Sequence, residues 1–344
     1  MSENNNIGRK IGNYELLEVI GEGGMGEVYR AEQTHPIRRQ VAIKIIKLGM
    51  DTAEFTERFE SERQALALMD HPYIAKVFDA GATERGRPFF VMEYVQGVPI
   101  SNYCNDLKMG LRGRLELFIH VCEGIQHAHQ KAIIHRDIKP SNVLVTSENG
   151  DVWPKIIDFG VAKTLDQKLT EHTIQTAMGQ IMGTPEFMSP EQADLAESHI
   201  DTRTDIYLLG ELLYILLTGV PPFDPEELKA QGLHAMLYQI RAIDPPRPSQ
   251  RLADLGDRAQ ESAADRGTTE DKLISSIEGD LDWITMRALE KEQDRRYQTS
   301  QALIQDIQRY LTDRPEVAGP PTANYRLKKF VKRNRIKVVA AALV

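Results

Sequence analysis

Residues 20–45 read IGEGGMGEVYRAEQTHPIRRQVAIKI, and this stretch decides the fold. Gly21, Gly23 and Gly26 fall at the spacing G-x-G-x-x-G, with Val28 two positions further on. Glycine lets backbone come close to a polyphosphate and present N–H groups to it. The same spacing occurs in dinucleotide-binding folds, where a helix starts directly after the glycines. Here the chain continues as GEVYRAE, rich in strand formers, and then as the apolar run Val41-Ala42-Ile43-Lys44. That order predicts a β-hairpin over phosphates, with a lysine on the following strand. Strand alternation puts Lys44 on the face opposite Ile43 and Ile45, where a lysine needs an anionic partner.

Working outward, YELLEVI, GEVYRAE, QVAIKII, AKVFDAG and FFVMEYV are short, β-branched or aromatic, and bounded by glycine or charge. They predict a five-stranded antiparallel sheet over residues 14–95. Between the third and fourth runs, EFTERFESERQALALM carries Phe55, Phe59, Leu66 and Met69 at a helical period, with acids early. This single helix offers Glu62 as the partner of Lys44. Glu60 is the competitor, and the spacing back from His71-Pro72 favours Glu62.

Past residue 96 the texture turns helical. LRGRLELFIHVCEGIQHAHQ (111–130) sets Leu111, Leu115, Phe118, Ile119, Cys122 and Ile125 on one face, and TDIYLLGELLYILLTG (204–219) is apolar nearly all round. The second reads as a buried central helix and not a membrane span, being short and carrying Asp205 and Glu211. Further helices are expected up to residue 312. Residues 244–280 are Pro-rich, then polar and Ala-rich, and read as a partly helical surface insertion.

Of the 344 residues, 42 are basic and 50 acidic, a net charge of −8. Seven of the basic residues lie in 326–344, which has no acid, so 35 basic face 50 acidic residues before it. An acidic body of this kind argues against nucleic acid as the partner. Cys104 and Cys122 are too few for a disulfide framework and read as free thiols. Residues 1–13 are polar, lack the apolar run of a signal peptide, and read as a disordered lead-in.

Two further segments carry chemistry. His135-Arg136-Asp137-Ile138-Lys139-Pro140-Ser141-Asn142 comes after the helix of 111–130, and Asp158-Phe159-Gly160 after the strand-like VLV and KII. Asp137 suits acceptance of a hydroxyl proton, Lys139 neutralisation of a γ-phosphate, and Asn142 and Asp158 the hard oxygen ligation of Mg2+ beside phosphates. His135 reads as a packing residue. The nine histidines are scattered, and no His/Cys cluster suggests zinc or iron.

These motifs, with Gly183-Thr184-Pro185 and Ser189-Pro190-Glu191, stand in the order found in protein kinases. Over about residues 14–312 the sequence resembles the eukaryotic-like serine/threonine protein kinases of bacteria. The resemblance implies an α+β, two-lobe protein kinase fold: an N-lobe over 14–95 and a mainly helical C-lobe over 96–312. It implies ATP as phosphoryl donor, Mg2+ as cofactor with Mn2+ able to substitute, and Ser/Thr of proteins as acceptor. Met92 is then the gatekeeper, and Glu93 and Val95 are the hinge residues whose backbone meets adenine. Ile20, Val28, Ala42 and Leu144 sandwich the base, Asp205 braces the catalytic loop, and Glu191 pairs with Arg296. Serine at 189 departs modestly from the family's alanine. Lys139 and the segment holding Thr184 separate this chain from tyrosine kinases and small-molecule kinases. A pseudokinase scaffold is a rival reading, but such proteins usually lose one of Lys44, Asp137, Asn142 or Asp158.

Between Asp158 and Glu191 lie Thr164, Thr170, Thr173 and Thr176. A phosphate on Thr173 or Thr176 could pair with Arg136 and order the segment, with a homodimer serving autophosphorylation. At the end of the chain, 313–337 read as a basic juxtamembrane segment and 338–344 as the start of a truncated membrane span. The layout implies a cytoplasmic kinase domain tethered to the membrane of a bacterium through the segment beyond Val344.

Overall fold

The computed structural model describes residues 7–23, 26–46, 68–148, 150–159, 187–194, 200–319, 322, 325 and 329. Six strands form one antiparallel sheet: β1 (Lys10–Ile11), β2 (Tyr14–Gly23), β3 (Gly26–Gln33), β4 (Arg39–Ile46), β5 (Val77–Ala82) and β6 (Pro88–Glu93). Their spatial order is β1-β2-β3-β4-β6-β5. The five expected strands are present. The sixth, β1, comes from the segment expected to be a disordered lead-in. Its residues are ordered because Ile11 is buried in the sheet's core, while Gly8 N–H donates to Leu16 O (2.8 Å) and Leu16 N–H to Arg9 O (3.0 Å). The helix expected near 54–69 falls almost wholly outside the described residues, and Glu60 and Glu62 fall outside with it.

Register divides the sheet into two faces. Tyr29, Ile43 and Val91 are paired across β3, β4 and β6 and sink into an apolar cluster with Tyr14, Leu16, Val41, Ile45 and Phe89. On the other face Val28, Lys44 and Phe90 pair in one row and Ala42 with Met92 in the next. The period of two that makes VAIKII apolar therefore also turns its lysine away from the isoleucines.

The helical lobe begins at β7 (Val98–Pro99), which joins β8 (Val143–Glu148) and β9 (Asp151–Ile156) in a three-stranded antiparallel sheet. Gly97 lies against β8 so closely that a Cβ there would stand 2.8 Å from Val145 O, so only glycine permits the approach. Helices α1 (Ile100–Asp106), α2 (Leu111–Gln130) and α3 (Thr202–Thr218) come next. Every α3 residue from Thr204 to Thr218 is buried. The Asp201 side chain accepts from Arg203 N–H at its start, and Gly219, at φ 87°, ends it. Leu115, Phe118, Cys122 and Ile125 of α2 share one apolar cluster with Ile206, Leu209 and Leu213 of α3. The lobe's other helices are α4 (Pro225–Ala230), α5 (Leu233–Ala242), α6 (Pro248–Asp254), α7 (Asp257–Ala264), α8 (Glu270–Ile277), α9 (Asp280–Ala288) and α10 (Ser300–Leu311).

The segment 244–280 is more ordered than its polar composition suggests. It holds α6, α7 and α8, whose Leu252, Ala263, Leu273 and Ile277 enter the core. Arg266, 2% exposed, donates to the carbonyls of Ile215 and Leu216 (both 3.1 Å) and so closes the C-terminal end of α3. Burial pushes this guanidinium down to about 9. Past α10, Asp306 accepts from Val317 N–H (2.8 Å) and Ala318 N–H (2.9 Å). The Lys329 ammonium reaches Asp280 (2.6 Å) and Glu316 (2.8 Å). Part of the basic segment thus folds onto α9 and α10. No helix among the described residues is long and apolar enough to cross a membrane.

Candidate active site

Lys44 and Asp158 meet as an ion pair between the six-stranded sheet and the helical lobe. Both side chains are largely shielded, and they line a recess with Ala75, Val77, Phe90, Met92 and Phe159. Met92, expected as gatekeeper, is one of the residues lining this recess. What steadies Asp158 is β9. Ala75 N–H donates to Ile156 O (2.9 Å) and Ile156 N–H to Tyr73 O (2.8 Å), which fastens residues 73–75 to the strand leading into the aspartate. A side-chain link runs beside it: Glu93 Oε2 accepts from Lys155 Nζ and from Lys76 N–H, both 3.1 Å.

The loop of residues 135–142 is held from below and folded tightly on itself. Asp205, fully buried on α3, accepts from His135 N–H and Arg136 N–H, each at 2.8 Å, and stands 2.8 Å from His129 Nε2. Burial alone would raise this carboxyl, but the His129 contact and the His135 amide overcome it and keep it below the usual carboxylate range. His135 is buried, and desolvation pushes its imidazole below the ordinary value. Its Nδ1 accepts from Asp137 N–H (3.3 Å), which leaves Nε2 to donate to Ile157 O (3.1 Å), and its ring packs on Phe159 at 4.5 Å. It is a packing and bonding residue, as expected.

A turn of 3-10 helix over Pro140–Asn142 then brings Asn142 back. Asn142 Nδ2 donates to Asp137 O (2.8 Å) and Asp137 Oδ2 (2.9 Å), and Lys139 Nζ lies 3.1 Å from the same Oδ2. Ile157 N–H donates to Asn142 O (2.9 Å), so the asparagine backbone is tied to the residue just before Asp158. Arg136 and Asp158 both have left-handed backbones, with φ of 65° and 59°. For a non-glycine residue that costs on the order of 1 kcal/mol, which the surrounding bonds must offset.

Lys44 on a strand, Asp137, Lys139 and Asn142 on a helix-braced loop, and Asp158 after a second hairpin together make a phosphoryl-transfer arrangement. The sequence matches the protein kinase domain family over residues 14–307. The chain belongs to the protein kinase family. It is 32% identical over 318 residues to the serine/threonine-protein kinase Pkn1 of Myxococcus xanthus, covering 92% of this chain and 41% of that protein. It is 35% identical over 300 residues to the serine/threonine-protein kinase PknB of Mycolicibacterium smegmatis, covering 86% and 42%. The chain therefore spans about two fifths of these curated relatives. The crystal structure of the Mycobacterium tuberculosis PknI kinase domain superposes with a TM-score of 0.61 at 24% identity, over 88% of this chain and 98% of that one, and shares its fold.

For the remaining expected residues, Ala42 is buried and Val28 and Leu144 are half-buried, whereas Ile20 is 44% exposed on β2. Gly21 pairs with Val28. Gly26 has a packing reason of its own: a Cβ there would stand 2.3 Å from Ile45 O. Glu62, Gly160, Thr164, Thr170, Thr173, Thr176 and Thr184 lie outside the described residues. The expected Glu191–Arg296 pair is present and bidentate, both contacts at 2.8 Å. Sequence reasoning missed His129, Lys155 and Gln192. His129 sits one residue from the end of α2 and Gln192 directly succeeds Ser189-Pro190-Glu191, but side chains whose partners lie far away in sequence leave no periodic trace.

The donor chemistry suits Mg2+. Asn142 spends its amide nitrogen on Asp137, which leaves its oxygen as the acceptor for a cation, and Asp158 adds a carboxylate. These two residues would hold the metal.

Proposed function

We propose that this chain transfers the γ-phosphoryl group of ATP to serine and threonine hydroxyls of proteins. The observation that carries the reading is the contact set at Asp137, whose carboxylate is held by Asn142 and faced by Lys139 while Asp158 pairs with Lys44. Asp137 orients the acceptor hydroxyl and takes its proton as the new oxygen–phosphorus bond forms. The bond between the γ-phosphorus and the bridging oxygen breaks, and its electrons leave with ADP. Lys139 offsets charge on the transferring group, and Lys44 binds the remaining phosphates. Mg2+, when bound, neutralises phosphate charge. Met92, Glu93, Val95, Ile20, Val28, Ala42 and Leu144 surround adenine in this reading. Glu62 supports Lys44 from the helix. Lys139, two residues past the aspartate, favours Ser/Thr over tyrosine.

Control rests on the same reading. Phosphorylation at Thr173 or Thr176, in trans within a homodimer, places a phosphate for Arg136 to pair with, while Thr184 bonds Asp137 and Lys139. The basic residues before the apolar run at 338–344 suit a membrane surface, so the kinase acts on the cytoplasmic side, tethered to the membrane of a bacterium.

Incubating the purified chain with Mg·ATP and a generic basic protein, beside Asp137→Asn, tests the reading. Incorporation on Ser/Thr that disappears in the variant is expected. Nucleotide binding without incorporation would move the chain to the pseudokinase class. Phosphosite mapping that finds Thr173 and Thr176 unmodified in active protein would end the control scheme.

A further inference from the structure

We infer that Gln192 is a positioning residue for catalysis, acting by fixing the peptide unit that carries Asp137; this rests on the kinase reading above. The backbone of Arg136, which leads into Asp137, has two handles. On its N-terminal side, Arg136 N–H is taken by Asp205 at 2.8 Å. On the other, Arg136 O accepts from Gln192 Nε2 at 2.8 Å. Arg136 itself sits at φ 65°, a backbone state that a non-glycine side chain resists. Relaxation toward negative φ would swing its carbonyl and redirect the Cα–Cβ bond of Asp137. Asp205 holds only one end of this residue. The other end is held by a residue immediately past the Ser189-Pro190-Glu191 motif.

Gln192 is itself locked. Its Oε1 accepts from Ser189 N–H (3.0 Å), while its own N–H donates to Ser189 Oγ (3.3 Å). This reciprocal pair uses both ends of Ser189, so the serine standing where the family has alanine supplies a bond that alanine cannot make. Next door, Glu191 is clamped by Arg296 and Thr204. Gln192 therefore links the end of the segment that begins at Asp158 to the backbone of the catalytic aspartate. When residues 187–194 are seated, the Asp137 carboxylate is aimed; when they are unseated, the Arg136 backbone can relax.

Gln192→Glu separates the two bonds. It keeps an oxygen for Ser189 N–H, removes the donor to Arg136 O, and sets a carboxylate against that carbonyl. Loss of one orienting hydrogen bond predicts a kcat lower by about tenfold, with KM for ATP within about twofold of wild type. Ser189→Ala, which loosens the lock but leaves the donor, is expected to lower kcat by about threefold. Amide hydrogen exchange over residues 134–140 gives a readout that needs no turnover. Gln192→Glu should speed exchange there while α3 and α10 stay at wild-type rates. Faster exchange confined to this loop, with the kcat loss, supports the assignment. Unchanged loop exchange in Gln192→Glu overturns it whether or not the wild-type chain transfers phosphate. A parallel rise in KM with exchange accelerated throughout the lobe also overturns it, because that marks a general packing role. Absence of transfer by wild type, with loop exchange still altered in the variant, would fault the kinase reading and the catalytic role with it, leaving the Gln192–Arg136 bond as a contact that only steadies the loop.

Discussion

The Glu191–Arg296 pair provides the sharpest test of how the helical lobe is held together. The Arg296 side chain has no exposure and that of Glu191 has 6%. Arg296 donates to Glu191 twice, and also to Glu290 O (2.7 Å), Arg203 O (2.9 Å) and Lys291 O (3.0 Å). Glu191 accepts in addition from Thr204 Oγ1 (2.7 Å). Arg296→Met keeps much of the apolar stem but strips a buried carboxylate of its counter-charge and takes a donor from three carbonyls, so a loss of about 5 kcal/mol is expected. Glu191→Leu strips the counter-charge but leaves the guanidinium its three carbonyls, so a loss of about 3 kcal/mol is expected. The double variant should recover the part that comes from the uncompensated carboxylate but stay below wild type, because the three carbonyls remain unmet. Urea unfolding monitored by the fluorescence of Trp153 and Trp283 measures all three. Losses below about 1 kcal/mol in both single variants, or a double variant as stable as wild type, would refute the reasoning. The acid arm has a definite sign. Burial raises the Glu191 carboxyl, but Arg296 and Thr204 outweigh it and hold it below its ordinary value. The pair's stabilisation is thus complete above that ordinary value and fades as pH falls below it, and Arg296→Met should lose this part of the acid sensitivity.

Lys44→Met and Asp158→Asn each remove one side of the ion pair in the recess and are expected to lower kcat by roughly 10²–10³-fold, measured by steady-state transfer; activity within about threefold of wild type would remove the pair from the mechanism. Asp205→Asn replaces an acceptor of two backbone amides by a group with one acceptor oxygen, so kcat should fall by roughly tenfold or more. A stop after Thr312 takes Val317 and Ala318 N–H from buried Asp306 and Lys329 from Asp280. It should cost about 2 kcal/mol in urea unfolding with kcat intact; no change would show that the segment past α10 merely rests on the lobe.

Much of this architecture was legible in the chain alone because it is written in local patterns. Alternation over 40–46 fixed which face Lys44 occupies, and the apolar run of 204–219 announced a buried helix. The spacing of Asp137, Lys139, Asn142 and Asp158 named the chemistry, since metal and phosphate ligation demand those residue types at short, fixed separations. What remained hidden depends on meetings between distant segments. The strand Lys10–Ile11 forms only because Ile11 finds a core to enter. Arg266 reads as a charge in a polar insertion until the end of α3 presents its carbonyls. Gln192 has no pattern at all: its role exists because the fold sets it beside Arg136 O. Periodicity is a property of neighbours in sequence, so most of the elements and the reactive groups could be read from the chain. Backbone satisfaction and burial are properties of neighbours in space, so only the tertiary structure decided what holds those groups in place.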